Sequence, residues 1–465
     1  MKPHPSSFRD PLGFMFEQDG VLYRQVNEGC RASYEALMGG GLYDMLVAKQ
    51  LLVPHVEVEG AAGDAVARPG GGAGAWRILK PDLVPFISYP YEWSFSQLKR
   101  AALTTLRVQR IALRHDMSLR DASAFNVQFI GSQPVFIDTL SFERVVEGRP
   151  WVGYRQFCQH FLAPLFLMAG RDPRLSVLSA SWIDGIPLDI ARGLAPRRYR
   201  WRPGFLAHIS LHAKAQERFR EAGPRRSAPP RLGRAALLRI LDSLRSTIEG
   251  LSWNPRGTQW ADYYAKTNYS DESMELKKRF VGSVVDEIGP RRVVDLGANT
   301  GAFSAIAARA GAYVVATDMD HGAVELCFRG ASAEKARSVL PLVVDLTSPT
   351  PAVGWMNAER ASFLDRCSGK TDLVLALALI HHLVIGNNVP LRSVVELLAR
   401  TGPRAVVEFI DKRDSQVQRL LASRADIFDG YSEAGFENAL TGTFRIVRKQ
   451  QIAGTHRVLY HIQRT

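Results

Sequence analysis

The chain has 465 residues, 46% of them hydrophobic, and a formal net charge of +13. That length exceeds one compact core, so two domains are expected. Its four cysteines, Cys30, Cys158, Cys327 and Cys367, stand far apart with no C-x-x-C pair, which argues against a disulfide framework and a structural zinc site and points to a reducing cytoplasm.

The opening stretch MKPHPSSFRDPL lacks the apolar core of a signal peptide, and no apolar run reaches the roughly 20 residues that span a bilayer, so a soluble protein with no membrane partner is expected. Residues 14–27 alternate around Asp19-Gly20 and predict a β-hairpin. Residues 31–52 predict helix broken at Gly39, Gly40 and Gly41, and 60–74, rich in Gly and Ala, predict a loop. A strand pair is expected over 76–88, a linker over 89–93, and a long amphipathic helix over 94–113. Residues 157–169 read as a buried helix in spite of Gln159, His160 and Pro164.

Between these elements lies a chemical signal. Asp121 and Asn126 stand five positions apart, and Asp138 follows the next strand after a Gly131-Ser132 turn. This order of elements and acids resembles the protein kinases and their small-molecule relatives, which implies a catalytic Asp, a metal-binding Asn and a second metal-binding Asp at these positions. The pattern departs from that family in the first hairpin, which has no G-x-G-x-x-G, and in the absence of a strand lysine of the V-A-I-K type. Three such acceptors suit a magnesium ion that phosphates help to hold; the plainer reading makes them turn and cap residues.

The stretch 223–232, GPRRSAPPRL, predicts a linker, and the domains are drawn as 1–222, a basic Pro/Arg linker at 223–234, and 235–465 with a helical lead-in at 235–250. From 192 to 234 twelve Lys or Arg face only Glu217 and Glu221. That charge admits a nucleic-acid partner, although no RNA-binding signature accompanies it and a solvated face is the commoner meaning.

In the second half VVDLGANTG, 293–301, reads as a buried strand running into a glycine turn and then a helix. Asp295 closes that strand, Asp318 closes the apolar run 313–317, and Asp345 closes 340–344. A fourth run, 372–380, leads into His381 and His382. The series resembles the class I S-adenosylmethionine-dependent methyltransferases. That resemblance implies an α/β, Rossmann-like, seven-stranded domain here, preceded by an α+β domain resembling a degenerate kinase. It further implies S-adenosyl-L-methionine as cofactor, with Asp295, Gly297, Asn299 and Gly301 on its methionine end, Asp318 on the ribose, and Asp345 with Leu346 on the adenine. A Rossmann-like fold with ordinary strand-end acids is the alternative.

Methyl transfer to a hydroxyl or amine needs alignment, exclusion of water and a base. His382, ahead of His381, is the candidate base, since two adjacent histidines are not expected to face the same way. Trp260, Tyr263, Tyr264 and Tyr269 form an aromatic group before the first strand, a lid over the cofactor or simply core. Gly354, Trp355, Glu359 and Arg360, together with 408–412, are expected to line the cleft, and Asn387 and Asn388 to meet a polar acceptor. Glu408 and Asp411 are poorly spaced as metal ligands, so no metal is expected. Residues 444–462 predict a closing strand pair around Gly454.

The run LALALIHHLVIGNNVPL resembles bacterial methyltransferases grouped with nodulation-associated proteins, which implies a glycan or small-molecule acceptor. The rivals are an RNA acceptor reached by the basic segment and a non-catalytic protein that binds the cofactor, or a nucleotide, for regulation or scaffolding.

Overall fold

A computed structural model describes residues 3–58, 75–213, 232–255, 270–422 and 424–465. The expected loop at 60–74, most of the linker at 223–232 and the aromatic group Trp260, Tyr263, Tyr264 and Tyr269 lie outside the described residues. The chain divides into two compact units: Met1–Phe129, Pro134–Asn254 and Ala352–Arg360 form the first, and Ile130–Gln133, Pro255–Pro351 and Ala361–Thr465 the second.

In the first unit strands β1 (Gly13–Gln18) and β2 (Val21–Asn27) make the expected hairpin. Its turn needs positive φ at both central residues, and Asp19 (53°) and Gly20 (73°) supply it. β3 (His55–Glu57) and β4 (Ala75–Pro81) complete an antiparallel sheet of order β1-β2-β4-β3. The strand pair expected over 76–88 is corrected to this one strand: Asp82 N–H turns back to the Pro54 carbonyl, and the chain beyond it forms no strand. Helices Arg31–Gly39 and Leu42–Ala48 flank the glycine break.

The helix Phe95–Arg114 opens on a capping box in which Ser94 and Gln97 satisfy each other's backbone N–H groups. The helix Arg234–Glu249 buries Leu237, Leu241, Leu244 and Ile248, a stripe at helical spacing, against it. Lys99 Nζ donates to the Glu249 and Leu251 carbonyls, and Arg110 pairs with Asp242. This helix therefore belongs to the first unit, which corrects the boundary drawn at 223–234: an apolar stripe goes where a complementary face exists, whatever the linker composition before it.

The run 157–169 is helical and largely buried as expected, within a helical stretch 154–170 that has a wide turn at Cys158–Leu162 just before Pro164. Proline gives no N–H to the preceding turn and crowds its carbonyl, and widening accommodates both effects. Short strands β5 (Met117–Leu119), β6 (Val127–Ile130), β7 (Gln133–Phe136) and β8 (Phe142–Arg144) frame the loops carrying Asp121, Asn126 and Asp138.

The second unit holds seven strands: β9 (Arg292–Leu296), β10 (Tyr313–Asp318), β11 (Val339–Val343), β12 (Leu373–Ala376), β13 (Arg404–Ile410), β14 (Phe444–Ile452) and β15 (Arg457–Arg464). They form one mixed sheet of order β11-β10-β9-β12-β13-β15-β14, parallel from β11 to β13, with β15 antiparallel to both of its neighbours. Helices Asp271–Ile288 and Ala302–Arg309 pack on it through Phe280, Val281, Val284, Phe303 and Ala307. The order reverses between β9 and β12, and a crevice at that switch, outside the carboxyl strand ends, is where ligands of such sheets bind. β12 is shorter than the expected run 372–380, because Ala378 adopts φ 52° and breaks the extended backbone.

Candidate active site at the carboxyl edge of the sheet

At the end of β9 the backbone enters the turn 297–301, where Gly297 (φ 74°), Asn299 (51°) and Gly301 (85°) are left-handed. A methyl group on Gly301 would also sit 2.6 Å from Cys327 Sγ. Gly297 and Ala298 each donate N–H to the Thr317 carbonyl of β10 at 2.8 Å. Asp318, next along β10, accepts the Asn299 N–H on Oδ2 and the Asp320 N–H on Oδ1, each at 2.9 Å. The turn and the second strand are thereby one hydrogen-bonded unit, and burial pushes the Asp318 carboxyl up to about 6.

Asp295 is 2% exposed and accepts Ser304 Oγ–H at 2.6 Å; burial pushes it, too, up to about 6. Asp345 accepts from Thr347 N–H and Thr347 Oγ–H at 2.8 and 2.7 Å, a side-chain turn at the start of its loop, with Leu346 half-buried beside it. All seven residues expected to face a cofactor thus lie at the carboxyl ends of β9, β10 and β11 or just beyond them.

His381 and His382 follow Ala378 where the chain winds into the wide turn His382–Gly386. Their ring centroids are 4.0 Å apart with planes tilted by 40°, so the expectation that they face apart is corrected: the rings lie against each other. His381 is 2% exposed, and its Nδ1 is buried without a hydrogen-bond partner among the described residues. Burial, with His382, Arg457 and Lys277 nearby, holds it well below the usual histidine range, and burial lowers His382 to about 4. Both rings are neutral near neutral pH and able to accept a hydrogen bond, and burial makes them weaker proton acceptors than a free imidazole.

Other expected lining residues are used elsewhere. Glu408, 0% exposed, accepts Lys277 Nζ–H at 2.7 Å and faces Arg457 at 3.7 Å, while Arg457 Nε donates to Asp414 at 2.8 Å. Asp411 pairs with Arg413 at 2.8 Å. Glu408 therefore belongs to a buried ion cluster rather than to a cleft wall, and among the described residues no group of three His, Cys, Asp or Glu could hold a metal. The signal missed in the sequence was Lys277, which falls in register with Ser273, Phe280, Val281 and Val284 on the buried helix face. Gly354, Trp355, Glu359 and Arg360 group with the first unit: Glu359 pairs with Arg9 at 3.0 Å and Arg360 lies 4.6 Å over the Phe125 ring. Asn387 donates to the His382 carbonyl at 2.8 Å, and Asn388 accepts from Arg424 at 2.5 Å, so both brace the loop after the histidines.

Beyond that loop a cavity of about 410 Å³ is lined by residues that include Val384, Arg392, Phe428, Tyr431 and Asn438. The Tyr431 hydroxyl is tied to the Ile410 carbonyl at 2.9 Å, and Arg424 stacks on Phe428 at 5.0 Å. In the described part of the basic segment, Arg198 and Arg202 lie over Tyr199, and Arg200 donates to the Ala195 and Gly193 carbonyls. No helix among the described residues is long and apolar enough to cross a membrane.

No family model matches the chain. The nodulation protein NoeA of Rhizobium meliloti (strain 1021) is 36% identical over 471 residues, covering 99% of this chain and 95% of that protein. Among solved structures, the bifunctional kinase-methyltransferase WbdD is similar at 18% identity over 45% of this chain, which spans 43% of that one, with a TM-score of 0.32. Magnesium protoporphyrin IX methyltransferase from Synechocystis PCC 6803, solved with bound SAM, matches 44% of this chain and 89% of its own at 19% identity and a TM-score of 0.32. The N-methyltransferase NodS of Bradyrhizobium japonicum WM9 matches 42% and 98% at 12% identity and 0.31.

Proposed function

The chain belongs to the family of the nodulation protein NoeA, and we propose that it is an S-adenosylmethionine-dependent methyltransferase acting on a polar acceptor, a glycan or another small molecule. The observation that carries this reading is the Asp318 carboxylate, which joins the glycine turn to β10 at the carboxyl edge of a sheet whose order reverses beside it.

The donor set fits the cofactor. The left-handed turn 297–301 lies at the carboxyl strand ends, Asp295 offers a buried carboxylate to an ammonium group, and His381 Nδ1, without a hydrogen-bond partner among the described residues, offers a buried acceptor. Asp295 and the turn Gly297–Gly301 would hold the methionine end, Asp318 the ribose hydroxyls, and Asp345 and Leu346 the adenine. When bound, the cofactor supplies an electrophilic methyl group on a sulfonium. The chain's own part is to orient the acceptor, exclude water and take a proton from it. His382, neutral because burial keeps it near 4, is the residue we assign to that proton. The cavity beside Val384 suits an acceptor with a ring face for Phe428 and Tyr431 and hydroxyls for Arg392 and Asn438.

The test is calorimetric titration of the full chain with S-adenosylhomocysteine, beside an Asp318→Ala variant. Saturable binding that weakens at least tenfold in the variant supports the reading, and absence of binding by the unaltered chain overturns it.

A further inference from the structure

The resemblance of the first unit to kinases leaves a motif that methyl transfer does not use: Asp121, Asn126 and Asp138. The fold does bring them together. Asn126 Nδ2 donates to Ser141 Oγ at 3.1 Å, Ser141 Oγ–H donates to Asp138 Oδ2, and the Asn126 side chain also bonds Asp121. A catalytic site of that kind would present these oxygens to a divalent cation.

The carboxylates of Asp138 and Asp121 are already taken. Asp138 Oδ1 accepts the Leu140 N–H at 3.1 Å and faces Arg24 Nη1 at 2.7 Å, and both side chains are nearly buried. The other arm of Arg24 reaches Asp10 at 3.3 Å, and Arg120 reaches the same Asp10 carboxylate at 3.5 Å. Asp121 Oδ1 accepts the Ser123 N–H at 2.8 Å, and burial raises its carboxyl. Arg24 and Arg120 pair with Asp10 and Asp138 with no added ion, and the third acid, Asp121, is held by hydrogen bonds from Ser123, Asn126 and Gln156.

The surrounding fold agrees. β2 runs through the short turn Glu28–Cys30 directly into the helix Arg31–Gly39, with no strand between them to carry a phosphate-binding lysine, and the hairpin turn is only Asp19 and Gly20. The residues do not fit a magnesium–nucleotide site.

We infer that Arg24 is a built-in cation standing where a divalent metal would sit, which closes the Asp121–Asn126–Asp138 constellation to metal and makes the first unit independent of magnesium and nucleotide. A cation entering this cluster would meet the Arg24 guanidinium and would have to expel a side chain that is fixed on β2.

The experiment titrates the full chain with manganese chloride, followed by the electron paramagnetic resonance signal of free Mn²⁺, and with magnesium–ATP by calorimetry, beside Asp138→Asn. The expected result is a trace without a saturable site for both proteins in each titration. A saturable site in the unaltered chain that Asp138→Asn abolishes overturns the inference. A double-mutant cycle on the unfolding midpoint tests the counter-ion itself. Arg24→Gln lowers the midpoint, and adding Asp138→Asn recovers at least half of that loss, because the unbalanced carboxylate is then gone. Losses that simply add also overturn it, and if Arg24→Gln does not fold, the titrations still decide.

Discussion

Asp318 accepts the backbone N–H of Asn299 at 2.9 Å, so a carboxylate at the end of one strand holds the left-handed turn that follows its neighbour. Its other oxygen accepts the Asp320 N–H. Asp318→Asn replaces one of these acceptors by an amide donor and leaves a backbone N–H unmatched. The expected cost is about 1–3 kcal/mol of stability in urea unfolding. Unchanged stability would show that the turn does not depend on this carboxylate.

Gly301→Ala combines a left-handed φ of 85° with a contact of 2.6 Å to Cys327 Sγ. The strain at such a backbone position is of order 1–3 kcal/mol, with the collision in addition. Adding Cys327→Ala should restore part of the loss and not all of it, since it removes the contact but leaves the backbone strain. Full rescue in denaturant unfolding would mean that the contact alone matters.

The pH dependence has a definite sign. Burial raises both Asp295 and Asp318 to about 6 from an ordinary 3.8. The contribution of each to stability is greatest below the unfolded value and is lost as the pH rises from about 4 to about 6. A ligand ammonium beside Asp295 favours the ionised form, so S-adenosylhomocysteine should bind more tightly as pH rises from 5 to 7, releasing a proton near pH 6. Calorimetry in buffers of different ionisation enthalpy reads that proton directly. Binding with no proton release would separate Asp295 from the ammonium.

His382→Ala should lower methyl transfer about 10²-fold or more while leaving cofactor affinity within twofold. With its ring held near 4, turnover governed by His382 should stay level from neutral pH down to about 5 and fall only toward 4. A fall centred near 6.5 that persists in His382→Ala would identify a different base.

Lys277 and Glu408 form a buried ion pair at 2.7 Å, with 3% and 0% of their side chains exposed. Removing one partner leaves a charge that burial penalises, so Lys277→Met should cost about 3–5 kcal/mol, and Lys277→Met with Glu408→Gln less than the single change. Guanidinium unfolding of the three variants checks this, and additive losses would contradict it.

Much of the edge was legible residue by residue. Asp295, Asp318 and Asp345 each follow a β-branched run, and a glycine turn followed by a helix-forming run has few readings in an α/β sequence. The hairpin at Asp19-Gly20, the helix Phe95–Arg114 and the terminal strand pair were equally local. The helix Arg234–Glu249 was foreseen as a helix but assigned to the wrong unit, because a linker composition says where the chain is irregular and not which face receives the next apolar stripe.

The sequence by itself determined the strands, the turn and the acids at their ends, because hydrophobic period and glycine conformation act over a few neighbouring residues. Only the tertiary structure decided the ionic partners. Lys277 meets Glu408 across 131 positions, and Arg24 meets Asp138 across strands and loops. Such pairs form because burial makes an unbalanced charge costly, and which opposite charge lies within reach is a property of packing that no local pattern encodes.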